Sequence, residues 1–125
     1  MTRYVLDAGA LIALDRGDAM AWRRHGAARR DRIPMLTHGG VVAQVVRRAT
    51  QARLARVLPS IDVIAIGREL GRATGYLLAE SKTRDVIDAA LVIISRDGDT
   101  ILTSDPDDVE HLVGAAGIDV TIVGV

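Results

Sequence analysis

The sequence predicts an α/β fold with a mainly parallel central sheet. Short β-type runs alternate along its 125 residues with longer segments of helical periodicity. Strands that alternate with helices are joined by right-handed crossovers, which place the strands parallel in one sheet. Apolar residues make up 49% of the chain and aromatic residues only 2%, so we expect a core of aliphatic side chains.

The first third of the chain is predicted to form two strands and two helices. The β-type run Tyr4–Leu6 leads directly into the apolar helical pattern of Ala8–Leu14. Asp18–Arg30 has the composition of a polar, arginine-rich helix, and Ile33–Leu36 that of a short strand.

Helical periodicity returns over Gly40–Leu58, with a break near Ala49–Thr50, and Pro59-Ser60 ends it. Asp97-Gly98 marks a later turn. Three further strands are predicted, at Ile61–Ile66, Thr100–Thr103 and Asp119–Val125. Three further helices are predicted, at Gly67–Ser81, Asp85–Ser95 and Pro106–Ala116.

The length suits one domain, and we expect residues 1–125 to form it. The chain has no cysteine, which excludes disulfides and thiolate zinc sites and fits a reducing compartment. Its apolar runs are far shorter than the ~20 residues of a membrane span, and its N-terminal sequence does not have the pattern of a signal peptide. We therefore expect a soluble, cytoplasmic protein without a membrane partner.

Charge is unevenly distributed, although the formal net charge is zero. Arg16–Arg56 contains ten arginines and two acids, whereas Asp85–Asp119 contains nine acids and one base. Such an asymmetry can hold phosphates at one edge and cations at another. Two oppositely charged, solvated faces would have the same composition, so charge alone leaves both interpretations open.

Two aspartates follow predicted strands directly or nearly so: Asp7 after the first and Asp105 after the fourth. Ligands of open parallel sheets bind beyond the carboxyl ends of the strands, so these carboxylates meet if the two strands are neighbours. Each aspartate also has a structural explanation as a helix N-cap, with Asp107 as an acid of the first turn.

Asp88 stands among apolar residues in a predicted helix that Asp85 is expected to cap. Burying a carboxylate there is costly without a partner. Arg84, four residues earlier, is one candidate partner, and a metal ion is another. The sequence leaves the two explanations open.

A shared site for Asp7, Asp88 and Asp105 would have a definite chemistry. Carboxylates gathered within a few ångströms repel by several kcal/mol at an effective dielectric constant of about 20. A divalent cation removes that repulsion, and oxygen ligands favour Mg²⁺ or Mn²⁺. Such an ion polarises a phosphodiester and lowers the pKa of water, which permits hydrolysis without a protein nucleophile.

Four segments of the chain, in this order, resemble the VapC-type PIN-domain ribonucleases, the toxins of VapBC toxin–antitoxin systems: LDAGALIAL, VVAQVVRRATQARLARVL, DVIDAALV and ILTSDPDD. The resemblance extends over essentially the whole chain. It implies a three-layer α/β/α sandwich with a mainly parallel sheet, an acidic pocket that holds Mg²⁺ or Mn²⁺, and endonucleolytic cleavage of RNA. It also implies a homodimer and a VapB-like antitoxin partner.

The resemblance assigns roles to five positions of this sequence. Asp7, Asp88 and Asp105 match the first, third and fourth acids of the family. Thr103 matches a hydroxyl residue that stands two positions before the last acid. The second acid, usually a Glu, corresponds to Gln44, so the catalytic set implied here is three aspartates and one glutamine.

Gln44 is the main departure from the family pattern. Its amide can accept hydrogen bonds and ligate a metal weakly, but it has no charge. We expect weaker metal binding, or one metal rather than two, with Asp85 and Asp107 as auxiliary acids. A second departure is Gly9, where the family often has a small hydroxyl residue.

Three arginines are expected to contact RNA phosphates: Arg47 and Arg48 beside Gln44, and Arg84 before Asp88. Contacts to phosphate position a nucleic acid without reading its sequence. With so few aromatic residues, a platform for base stacking is not expected.

Three other functions share parts of this pattern. A PIN-fold protein that binds RNA or an antitoxin without efficient cleavage is favoured by Gln44. A receiver-type phospho-acceptor would need an acid pair after the first strand, and a haloacid-dehalogenase-type phosphatase would need Asp-x-Asp there. Asp7-Ala8-Gly9 supplies neither.

The three histidines do not have the spacing of a zinc motif. We expect His25 to be solvated on a polar helix. His38 is expected to open a turn in a loop, with a place at the mouth of the pocket as the alternative, and His111 to lie at the surface or half-buried.

Overall fold

The computed structural model describes residues 2–125. Its central sheet contains five strands in that range: β1 (Tyr4–Leu6), β2 (Met35–His38), β3 (Asp62–Ile64), β4 (Thr100–Thr103) and β5 (Thr121–Gly124). They lie in the order β3-β2-β1-β4-β5, and every neighbouring pair is parallel. The predicted α/β fold with a parallel sheet is therefore confirmed.

Seven α-helices connect the strands within residues 2–125: α1 (Ala8–Asp15), α2 (Ala19–Arg30), α3 (Gly39–Val45), α4 (Ala52–Val57), α5 (Arg68–Ser81), α6 (Val86–Ile94) and α7 (Pro106–Ala116). Helix α1 packs against α2, α3 and α4, whereas α5, α6 and α7 pack against one another. The two groups cover the two faces of the sheet and give three layers. In this part of the chain, no helix combines the length and the apolar character that crossing a membrane requires.

The direction of the strand order reverses beside β1. The chain moves outward from β1 through β2 to β3, and then crosses to β4 on the other side of β1. Crevices that bind ligands form at such reversals, beyond the carboxyl ends of the strands. Leu6 and Leu102 are partners in the β1–β4 register, so Asp7 and Asp105 follow neighbouring strands, as the sequence hypothesis required.

Three predicted strands differ in position or length from the observed ones, and the last of them, predicted at Asp119–Val125, is observed only at Thr121–Gly124. The strand predicted at Ile33–Leu36 lies two residues later, because Thr37 and His38 are fully buried and continue the pairing with β3. The Thr37 hydroxyl donates a hydrogen bond of 2.7 Å to the Leu6 carbonyl. The strand predicted at Ile61–Ile66 is only three residues long, at the edge of the sheet.

The predicted break in the helical segment Gly40–Leu58 is confirmed and has a clear cause. Between α3 and α4, the Gln51 amide oxygen accepts hydrogen bonds from the Arg47 and Arg48 amides, at 2.7 and 3.0 Å. Its amide nitrogen donates to the Val45 carbonyl at 2.9 Å. One side chain thus satisfies backbone groups that a continuous helix would have paired.

The prediction that His25 is solvated is wrong. Its side chain is buried, and its Nε2 lies 2.9 Å from the Ser60 hydroxyl. That hydroxyl donates to the Val57 carbonyl at 2.6 Å, so the histidine nitrogen is the donor to Ser60. His25 therefore joins α2 to the short 3₁₀ turn Leu58–Ser60, where a buried polar group finds its partner.

An ion pair joins the amino ends of β1 and β4. The Arg3 guanidinium donates to both carboxylate oxygens of Asp99, at 2.9 and 2.7 Å, and Asp99 is fully buried. Burial is the largest single influence on the Asp99 pKa and, acting alone, would raise it. The hydrogen bonds from Arg3 and from the Arg96 amide together outweigh burial, so the net pKa of Asp99 lies below its usual range.

We expect Arg3→Met to lower the free energy of unfolding at pH 7 by about 3 kcal/mol, because it leaves the buried Asp99 carboxylate without its partner. Urea denaturation measures this, with exposed Arg68→Met as the matched control. Because the Asp99 pKa is lower in the folded than in the unfolded protein, its contribution to stability is present above the unfolded pKa and is lost as the pH falls through the folded pKa. The difference from wild type should therefore shrink in acid. A loss below about 1 kcal/mol at pH 7 would contradict the assignment.

Candidate active site

A cavity of about 350 Å³ opens beyond the carboxyl ends of β1 and β4. Most of the residues selected from the sequence meet there. The cavity is lined by four aspartates, Asp7, Asp85, Asp88 and Asp105, together with Ala8, Ile12, Gln44, Arg47 and Ser104. Asp107, Arg48 and Arg84 do not line it.

The Asp7 carboxylate is buried and held by three donors. Its Oδ1 accepts from the Ala10 amide at 2.9 Å, which caps α1 as the sequence predicted. Its Oδ2 accepts from the Thr103 hydroxyl at 2.6 Å and from the Ser104 amide at 3.0 Å. These bonds fix the carboxylate at the inner wall of the cavity.

Thr103 acts on the site through its neighbours, since its own side chain is fully buried. Its hydroxyl donates to Asp7 and accepts a hydrogen bond of 2.9 Å from the Asp105 amide. One hydroxyl group therefore sets the distance between the backbone of Asp105 and the carboxylate of Asp7.

Asp105 precedes α7, but the expectation that its side chain caps this helix is wrong. Its side chain forms no capping hydrogen bond, and its ψ of 65° departs from the extended backbone of the residues that do cap. The reason is local: the Thr103 hydroxyl already binds the Asp105 amide and turns the chain. The carboxylate is left exposed at the rim of the cavity.

Asp85 caps α6 as predicted, because its Oδ1 accepts from the Asp88 amide at 2.9 Å. The pairing of Asp88 with Arg84 is not observed: the ion pair Arg3–Asp99 is the one found among residues 2–125. Arg84 precedes the extended Asp85, so it lies outside the helix, and the four-residue spacing does not bring it onto the face of Asp88.

The Asp88 carboxyl carries the clearest electrostatic signature of the site. Burial raises its pKa most, and the negative charges of Asp85, Asp7, Asp105 and Asp108 raise it further, to about 6. Like charges that gather around a partly buried acid disfavour its ionised form. The raised pKa thus reflects first the partial burial of Asp88 and then the negative charge that the four other aspartates place around it.

Gln44 and Arg47 line the cavity from the side of α3. Gln44 is exposed and places a neutral amide where the resemblance implies a carboxylate. The Arg47 guanidinium donates to the Ala43 and Val46 carbonyls at 2.8 and 3.1 Å. Because its guanidinium is turned back onto the carboxyl end of α3, Arg47 does not neutralise the aspartates in this structure.

Ser104 is a residue of the site that the sequence reasoning missed. It lines the cavity, and its amide binds Asp7. A Cβ atom at Gly9 would collide with the Ser104 side chain. The sequence did contain a signal for Ser104: a glycine at position 9, where the resemblance implies a small hydroxyl residue, and a serine between Thr103 and Asp105. The hydroxyl group at this point of the site comes from the end of β4 and not from the start of α1. Asp108, which contributes charge to Asp88, was also missed.

The donor set suits a hard divalent cation, since carboxylate and amide oxygens are what Mg²⁺ and Mn²⁺ prefer. The spacing is more open than that of a closed metal cage. Within residues 2–125, no three His, Asp or Glu side chains are arranged so that all of them could hold one ion. An ion at this cavity would therefore be held by no more than two of these carboxylates and would take its other ligands from water.

No protein-family model and no curated protein matches the sequence. Among solved structures, the fold is similar to a chain in the crystal structure of VapBC2 from Rickettsia felis bound to a DNA fragment from their promoter. The TM-score is 0.66, the identity is 11%, and the match covers 98% of this chain and 99% of that chain. At this identity the similarity concerns the fold, and it confirms the PIN-like α/β/α sandwich.

The crowding of Asp88 generates a prediction about stability. In buffer with EDTA at pH 7.5, we expect Asp88→Asn to raise the free energy of unfolding by about 1–2 kcal/mol. The rise of the Asp88 pKa from 3.8 to about 6 corresponds to about 3 kcal/mol. Solvent at the open cavity screens part of this free energy. Urea denaturation measures the change.

The sign of this effect follows from the raised pKa. A folded-state pKa above the unfolded one favours folding at low pH, and the stability is lost as the pH rises through about 6. At about pH 3, below the ordinary aspartate pKa of 3.8, the variant and the wild type should therefore be nearly equal. Asp107→Asn, outside the cavity, is the control and should change little. If the variant were no more stable than the wild type at pH 7.5, burial and the neighbouring carboxylates would not destabilise the Asp88 carboxylate as proposed.

Proposed function

We propose that this chain is a metal-dependent endoribonuclease and the toxin of a type II toxin–antitoxin pair. The observation that carries the proposal is the gathering of Asp7, Asp85, Asp88 and Asp105 around one cavity whose lining arginine is turned away from them. The PIN-like fold places this cavity at the reversal of the strand order.

The four aspartates give the cavity an excess of negative charge, which a cation from solution would neutralise. The ion pair found among residues 2–125 lies at the opposite, amino edge of the sheet. A phosphodiester is itself an anion, so four carboxylates would repel it unless a cation stood between them. Bound Mg²⁺ or Mn²⁺ would supply Lewis-acid chemistry, polarising the phosphodiester for hydrolysis.

Asp88 and Asp105 are the side chains we assign to bind such an ion. Neither carboxylate is engaged in an ion pair with another described residue, and both line the cavity. Asp7 is held by three protein donors and sets the inner limit of the site. Gln44 would add a neutral oxygen from α3, which supports one metal of modest affinity.

The protein's own residues would also hold the cation and place the RNA. With a pKa of about 6, the Asp88 carboxyl is mostly ionised at neutral pH and is therefore available as a ligand. Arg47 lines the cavity and, released from its backbone contacts, would hold a phosphate; Arg48 and Arg84 lie farther out. These contacts would position RNA by its backbone.

The fold similarity supports a partner of the same kind. The neighbouring structure is a VapBC2 complex bound to promoter DNA, and its matching chain is covered almost completely. We therefore propose that a VapB-like antitoxin binds this chain and that the chain forms a homodimer.

Gln44 favours a second candidate function: a PIN-fold protein that binds RNA or an antitoxin but cleaves poorly. The neutral amide lines the cavity in the place of an acid, which removes one negative charge that would hold a metal. The two candidates differ in whether the wild-type site binds a divalent cation tightly enough to act.

Cleavage of total RNA by the pure protein, with Mg²⁺, Mn²⁺ or EDTA, tests the proposal. We expect cleavage that depends on the metal and falls at least about 100-fold in Asp88→Asn and in Asp105→Asn, because each removes a proposed ligand. Asp107→Asn, which lies outside the cavity, is the matched control and should retain activity.

Gln44→Glu separates the two candidate functions. An inactive wild type with an active Gln44→Glu variant would identify the binding protein. Equal cleavage in EDTA and in Mg²⁺ would exclude the metal-dependent nuclease. Absence of cleavage by the wild type and by Gln44→Glu under every metal condition would reject the nuclease assignment.

A further inference from the structure

His38 is a buried polar residue that the proposed chemistry does not use. It ends β2, and its side chain is fully buried, so the prediction of a loop residue is wrong. Its Nε2 lies 2.8 Å from the Ile87 carbonyl oxygen, and its Nδ1 lies 3.1 Å from the Gly40 amide nitrogen. Both ring nitrogens therefore contact backbone groups of different helices.

These two contacts define the state of the imidazole. A backbone amide can only donate, so Nδ1 accepts from Gly40; a carbonyl can only accept, so Nε2 carries the proton and donates to Ile87. The ring is neutral in this arrangement. Burial is the largest influence on the His38 pKa and lowers it, more than the hydrogen bond to Ile87 raises it.

The two helices that His38 joins both carry residues of the candidate site. Ile87 directly precedes Asp88 in the first turn of α6, and Gly40 lies in the first turn of α3, which carries Gln44. The packing between these turns is close. A Cβ atom at Gly40 would collide with the Ile87 side chain and with the His38 ring.

Histidine achieves here what an ordinary capping residue does not. Ser, Thr, Asn and Asp cap a helix through an oxygen close to their own backbone. The imidazole ring caps α3 with one nitrogen and reaches a second helix, 49 residues away in the chain, with the other. The first turn of α6 is thus held twice, by the Asp85 side chain on the Asp88 amide and by His38 on the Ile87 carbonyl.

We propose that His38 is a positioning residue, which holds the first turn of α6 with Asp88 against the start of α3 with Gln44. Its importance for catalysis rests on the proposed function. The contact itself can be tested without any cleavage assay.

Amide hydrogen exchange in paired variants tests the proposal. His38→Asn keeps an oxygen that can cap Gly40 but is too short to reach Ile87, whereas His38→Gln keeps an amide donor at the distance of Nε2. We expect exchange of the Asp88 and Ala89 amides to accelerate at least about tenfold in His38→Asn, relative to the Val109 amide of α7. In His38→Gln it should stay within about threefold of wild type. Parallel acceleration in α6 and α7 would reveal a merely structural role and overturn the proposal.

Binding of Mn²⁺ alone to the full chain provides a second readout. If His38 positions Asp88, the Kd for Mn²⁺ should rise several-fold in His38→Asn and not in His38→Gln. A wild type that binds no Mn²⁺ while the exchange result holds would reject the proposed metal site but support the positioning role.

A wild-type measurement covers the case in which His38→Asn does not fold. The ¹⁵N spectrum of the imidazole at pH 7 should show the neutral ring with its proton on Nε2. A His38 proton on Nδ1, or an Nε2 proton that exchanges rapidly with solvent, would overturn the proposal.

Discussion

The carboxyl edge of the sheet depends on the hydrogen bonds that the Asp7 carboxylate accepts. Asp7 is 3% exposed, and an ion so deeply placed is costly unless its oxygens are bonded. The Ala10 amide, the Thr103 hydroxyl and the Ser104 amide supply those bonds, from α1 and from the end of β4. Because β1 is the middle strand of the sheet, this one group fixes the start of α1 relative to β4.

Structural and functional explanations of the aspartates are compatible in this fold. Asp7 caps α1 and still lines the cavity, and Asp85 caps α6 while adding its charge to the surroundings of Asp88. A helix N-terminus stabilises negative charge, so caps at the carboxyl edge of a parallel sheet place carboxylates together at little cost. Of the four aspartates that line the cavity, Asp88 and Asp105 make no capping hydrogen bond, and these are the two that we propose to bind a cation.

Local patterns in the sequence were sufficient for much of the fold. The sequence pattern predicted the order of the strands and helices, with several bounds shifted or too long, and the strand ends located Asp7 and Asp105. Contacts between distant segments were not predictable in this way. The partners of the His38 and His25 rings lie 49 and 35 residues away along the chain. Arg84 had the spacing of a helical ion pair, and the helix began too late for that rule to apply.

Gln44 takes on a physical meaning once the charge around Asp88 is known. Burial and the charges of four aspartates already raise the Asp88 pKa to about 6 without any charge from α3. A glutamate at position 44 would add another negative charge to the same cavity and raise that pKa further, so that Asp88 would be partly protonated at neutral pH. With the neutral glutamine, the Asp88 carboxyl stays mostly ionised at neutral pH and could bind the proposed cation without first losing a proton.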